Sequence, residues 1–113
     1  MKNYSELNEF DLLAKVHLIK TEFGGRQGKV LNGYRGQFFW HINDVNCCDW
    51  DAEYYFEHGH VNPGEESLCK VRLSENVKKY SKGIFPVERQ FGIREGSKII
   101  AVGVILESYV KNA

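Results

Sequence analysis

The stretch that most restricts the fold is FGIREGSKIIAVGVIL, residues 91–106. Phe91 and Ile93 fall on alternate positions, and Ile99, Ala101 and Gly103 resume the alternation after a break at Arg94-Glu95-Gly96-Ser97-Lys98. A period of two puts alternate side chains on one face of a sheet. Gly96, inside the break, takes positive φ without steric penalty, as hairpin turns often require. The segment therefore reads as two strands and a tight turn, with Ile93, Ile99 and Ala101 buried. Beyond the turn, residues 99–106 are almost wholly apolar, which predicts a strand covered on both faces. Gly92 and Gly103 are poor strand residues and point to a bend or a close approach of another backbone, as in a small barrel.

The rest of the chain supplies strands for the same wall. Residues 13–20 alternate, with Ala14, Val16, Leu18 and Lys20 on one side and Leu13, Lys15, His17 and Ile19 on the other. A glycine-rich loop, TEFGGRQG, precedes a short strand at 29–31, and Asn32-Gly33 is a strong turn signal. A third strand is predicted over 37–42, a loop over 44–49, and an aromatic strand over 50–57. Asn62-Pro63-Gly64-Glu65 is a turn, with Pro presetting φ and Gly supplying the reversal. Residues 67–73 alternate cleanly and place Cys69, Val71 and Leu73 on the buried side. Residues 74–82 read as a polar surface turn, and 84–87 lead back to the hairpin. Residues 1–12, apolar only at Tyr4, Leu7 and Phe10 among polar neighbours, read as an N-terminal extension, a short helix or a frayed end. Residues 13–113 form a single domain. Five to seven short strands at this spacing argue for an all-β sandwich or barrel.

Composition narrows the function. The 15 basic and 15 acidic residues cancel to a net charge of +0. Non-specific nucleic-acid binders are strongly basic because phosphate neutralisation supplies their affinity, so the balance favours a protein partner. No apolar run approaches the about 20 residues of a membrane span, and the N-terminus has no secretory pattern. Three cysteines, an odd number, fit a reduced compartment. The expectation is a cytoplasmic chain that makes no membrane contact.

Three pieces stand in order: GGR at 24–26, NGYRGQFFW at 32–40 and FGIREGSKIIAVGVI at 91–105, with Asn62-Pro63-Gly64-Glu65 between the last two. This set resembles the C-terminal (third) domain of the bacterial elongation factor Tu family, which shows GGR, GYRPQF, a PGD-type turn, FAIREGG and a VGAGVV-like strand. The resemblance spans roughly residues 13–107. It implies a small closed antiparallel β-barrel of six strands, in agreement with the strand reading. It departs from the family at Gly36, where Pro is usual, at Gln27, where His is usual, and at Asn46, where Thr is usual. Segments 47–62 and 74–88 look longer than the family's. No G-x-x-x-x-G-K-[ST] loop is present, so no GTPase domain and no guanine-nucleotide binding are expected. The chain looks like the third domain alone.

The resemblance implies site residues. Gln37, Asn46 and Glu95 match family positions that contact the T-stem of tRNA, and Arg35 and Arg94 are natural cationic companions. The competing reading is that Arg35, Arg94 and Glu95 form ion pairs that pin the barrel turns. The loop holding Arg26 either aims backbone N–H groups at an anion or is simply a tight loop with a surface Arg. Cys47-Cys48 lack the spacing of a zinc pair. Cys69 reads as a core thiol. His58-x-His60 makes half a metal site if the strand continues, or a solvated loop pair. Asp49, Asp51 and Glu53 alternate around Trp50 as a solvated strand face or a surface for a basic partner, and Trp50, Tyr54 and Phe56 read as core. No catalytic motif such as Gly-x-Ser-x-Gly or His-Glu-x-x-His appears. The resulting expectation is a non-catalytic binding module without cofactor or metal. It binds a protein partner, a translation factor or a toxin acting on translation, in an immunity or decoy role. The alternative is an RNA-binding module on a tRNA T-stem-like helix. The candidate residues are Arg26, Arg35, Gln37, Asn46, Arg94 and Glu95.

Overall fold

The computed structural model describes residues 3–40, 48–74, 87–88, 90–96 and 98–109. Their strands are β1 (Leu12–Leu18), β2 (Val30–Leu31), β3 (Gln37–Trp40), β4 (Cys48–Phe56), β5 (His60–Val61), β6 (Glu66–Leu73), β7 (Gln90–Glu95) and β8 (Lys98–Ser108). Six of them close into an antiparallel barrel in the order β1-β6-β4-β3-β7-β8, while β2 and β5 form a small side pair. Closure leaves β8 hydrogen-bonded on both sides, to β1 and β7. A closed sheet has no free edge to recruit another chain.

The barrel interior follows from side-chain alternation. β1 turns Leu12, Ala14, Val16 and Leu18 inward, β6 turns Cys69, Val71 and Leu73, and β4 turns Ala52, Tyr54 and Phe56. Phe38 of β3 stacks on Phe91 of β7 with ring centroids 4.6 Å apart. Gly103 explains itself here: a Cβ on it would stand 2.6 Å from Phe91 Cε1, so the ring lies where a side chain would otherwise be. Gly33, Gly64 and Gly96, the three turn glycines, have φ of 84°, 88° and 64°. Burial raises the Cys69 thiol above its ordinary range, as expected of an inert core thiol.

Three expectations need correction. Ile99 is 41% exposed, and the buried residue is its neighbour Ile100. The cause is a β-bulge: Ile93 pairs with Ala101 but Arg94 pairs with Ile99, so Ile100 is the extra residue and the inward phase shifts by one. β8 is also not covered on both faces. Ile99, Val102 and Leu106 face solvent, because a barrel wall has one interior and the described residues place no second layer over this part. Finally, β4 starts at Cys48, inside the predicted loop 44–49, where Cys48 and Asp49 pair with Trp40 and Phe39. The rest of that loop, residues 75–82 of the predicted surface turn and residues 84–86 of the lead-in fall outside the described residues, as does the side chain of Trp50.

The N-terminal segment is tied down. Tyr4–Glu6 form one 3-10 turn, and Leu7 is buried. Lys70, on the outer side of β6, donates to the carbonyls of Tyr4 (2.7 Å) and Leu7 (3.2 Å). Its ammonium lies over the rings of Tyr4 and Phe10, 4.3 and 5.0 Å from their centroids. Phe10 packs edge-on against Tyr109. The threefold spacing of Tyr4, Leu7 and Phe10 thus makes a strap over the barrel wall, fastened by one cation.

Candidate functional site

The predicted residues fall into two polar groups on the outside of the barrel. The first surrounds the turn after Gly33. Tyr34 leaves that turn with its ring packed against the core and donates its hydroxyl to Glu95 Oε2 at 2.5 Å. Arg26 Nε approaches the same oxygen at 3.5 Å, with its guanidinium 5.4 Å from the Tyr34 ring centroid. Arg26 also donates to the carbonyl of Lys29. Burial and the hydrogen bond to Glu95 together push the Tyr34 hydroxyl pKa up, so the phenol stays protonated and keeps donating. Arg94 turns back on its own hairpin and donates to the Gly96 carbonyl through Nε (3.2 Å) and Nη2 (3.1 Å). Arg26, Tyr34 and Glu95 therefore join the 24–26 loop to the β7–β8 hairpin.

The second group crosses β3, β4 and β6. Gln37 projects outward because Phe38, next to it, faces the core. Across the sheet it pairs with Arg94 of β7 on one side and Asp51 of β4 on the other. Two residues along β4, Glu53 pairs with Arg72 of β6. Arg35 reaches Glu53 Oε2 from the turn at 3.6 Å, and Arg72 reaches Oε1 at 3.8 Å. Both distances exceed hydrogen-bond reach, and Arg35 is 79% exposed. Arg35, Asp51, Glu53, Arg72 and Ser74 line a shallow depression of about 280 Å³.

Two of the three residues in the competing ion-pair reading do form ion pairs. Arg35 pairs with Glu53, Glu95 with Arg26, and Arg94 bonds to a backbone carbonyl. Asn46 lies outside the described residues. Tyr34, Glu53 and Arg72 were not picked out in the sequence as companions of these residues. Only Tyr34 carried a signal, as an aromatic held between Gly33 and Gly36, because Glu53 and Arg72 meet Arg35 through strand register alone. The anion reading of the glycine loop does not survive. The Gly24 and Gly25 N–H groups are spent on the carbonyls of Thr21 and Lys20, both within the loop. His58 and His60 do not share a strand, since Gly59 at φ 82° turns the chain between them and β5 begins at His60. His58 contacts Glu57 instead. Among the described residues no group of three or more His, Cys, Asp or Glu is arranged to hold a metal.

A closed six-stranded antiparallel barrel whose chemistry lies on its outer wall belongs to the small β-barrel domains. The family model of the elongation factor Tu C-terminal domain matches residues 6–108, and the chain belongs to that family. The family's domain is a non-catalytic β-barrel, a binding module like those of translation factors. Among the described residues no helix is long and apolar enough to cross a membrane.

Proposed function

We propose that this chain is a cytoplasmic protein-binding module that engages a translation factor, or a toxin acting on translation, in an immunity or decoy role. The observation that carries the reading is the charge pattern on the outer wall. Arg35, Gln37 and Arg94 stand beside Asp51 and Glu53, so the face offers both signs at once. Mixed charge of this kind selects a protein surface and sets register, whereas a general phosphate grip needs one sign. Arg26 and Glu95 are the supporting members, since they hold each other and Tyr34, and Asn46 completes the candidate set.

The test is recovery of the tagged chain from the source cytosol, with mass spectrometry and RNA sequencing of what co-purifies. The reading predicts a translation-related protein at near-stoichiometric yield, with salt acting mainly on the association rate. Binding of a tRNA T-stem-like helix instead predicts recovered RNA and an affinity that falls steeply with salt. Guanine nucleotides are not ligands on this reading, and calorimetry with GTP and magnesium is expected to be flat.

A further inference from the structure

The depression between Arg35 and Arg72 goes further than the general face. Two guanidiniums approach opposite oxygens of one carboxylate, Glu53, from two different elements, and neither closes to hydrogen-bond distance. Guanidinium groups gain most from planar, bidentate hydrogen bonds to a carboxylate, so both are under-used toward Glu53. The side wall holds Asp51, two residues along β4 from the Glu53–Arg72 pair and beside Gln37. Beside Ala52, Leu73 and Ser74, the depression is thus lined by two cationic and two anionic side chains.

We propose that this depression is a subsite for an acidic side chain of a partner protein, with Arg35 and Arg72 gripping its carboxylate and Asp51 receiving an adjacent basic residue. The proposal rests on the protein-binding reading above and names the chemistry of that partner. Nucleic acid fits poorly, because a phosphodiester chain carries one sign only. Laid across the depression, it brings its charges against Asp51 and Glu53 as well as against the arginines. A peptide segment carrying an acid beside a base meets both arginines with its acid and Asp51 with its base.

The test uses the full chain and three probes: the capped dipeptide acetyl-Glu-Lys-amide, its Gln-for-Glu counterpart, and a short RNA duplex. Heteronuclear NMR follows the Nε–Hε resonances of Arg35 and Arg72, assigned from Arg35→Gln and Arg72→Gln. The acidic peptide is expected to shift both resonances and saturate in the millimolar range, with the Gln peptide about tenfold weaker. Arg72→Gln is expected to abolish the shift of Arg35 while the backbone spectrum stays folded. Unmoved arginines with the acidic peptide, or equal binding of both peptides, overturn the subsite. So does an RNA duplex that saturates the same two arginines more tightly. Partner recovery with Arg72→Gln separates this from the broader reading. If a protein is still captured at wild-type yield, the subsite fails and protein binding stands. If wild type recovers RNA alone, both fail.

Discussion

The stacked pair Phe38–Phe91 inside the barrel and the Arg35–Glu53–Arg72 group on its outer wall belong to one closed sheet and the turn leading into it, yet they answer to different physics. Inside, the rings meet at 4.6 Å, and one of them occupies the space a Gly103 side chain would need. Such contacts are cooperative and cannot be loosened one at a time. Outside, the ionic contacts are 3.6 and 3.8 Å long and Arg35 is mostly solvated. Exposed pairs of this kind contribute about 0–1 kcal/mol. The interior carries the stability, and the wall is left available for recognition.

The largest effect is expected inside. Phe38→Ala removes the stacking partner of Phe91 at a fully buried site and should cost about 3–5 kcal/mol, read from denaturant unfolding. A loss below about 1 kcal/mol would mean that the two regions do not differ as described.

The interior was also the part most readable in the sequence. Burial of one face imposes a period of two. Alternation in residues 67–73 accordingly named Val71 and Cys69 correctly, and in residues 13–20 it grouped Ala14, Val16 and Leu18, all buried, on one face without saying which face was inside. It failed at Ile99, where the bulge inserts Ile100 and reverses the phase. Periodicity cannot reveal a register shift that depends on the partner strand. The polar wall was half readable. Motifs located Arg35, Gln37, Arg94 and Glu95, but not their partners. Tyr34 meets Glu95 across 61 residues of chain, and Glu53 and Arg72 meet only because β4 lies beside β6.

Alkaline titration sharpens the comparison. Burial raises the pKa of the Cys69 thiol and the Tyr54 hydroxyl above their ordinary 9.0 and 10.0. The unfolded chain releases these protons at the ordinary values while the folded chain retains them. Above about pH 9 the unfolded state therefore binds fewer protons, and stability falls as pH rises, by up to about 1.4 kcal/mol per unit for each group. Thermal midpoints between pH 8 and 11 check this, and a flat profile counts against sealed interior placement.

A smaller effect of opposite sign is expected at Tyr54. Its hydroxyl is the one buried side-chain polar atom without a hydrogen-bond partner among the described residues. Tyr54→Phe removes that desolvated group and should raise stability by about 1 kcal/mol. A clear loss would mean that the hydroxyl has a partner.

The smallest effect belongs to the wall. Arg35→Gln should change stability by less than about 0.5 kcal/mol, given its exposure and its long contact to Glu53.

The central claim is that the fold and the binding face are separable, and the variant carrying both Arg35→Gln and Gln37→Ala tests it most directly. Its thermal midpoint and its recovery of the cytosolic partner are measured side by side with wild type. The account predicts a midpoint within about 3 °C of wild type and loss of most of the recovered partner. A variant that melts far earlier, or one that recovers its partner undiminished, contradicts it.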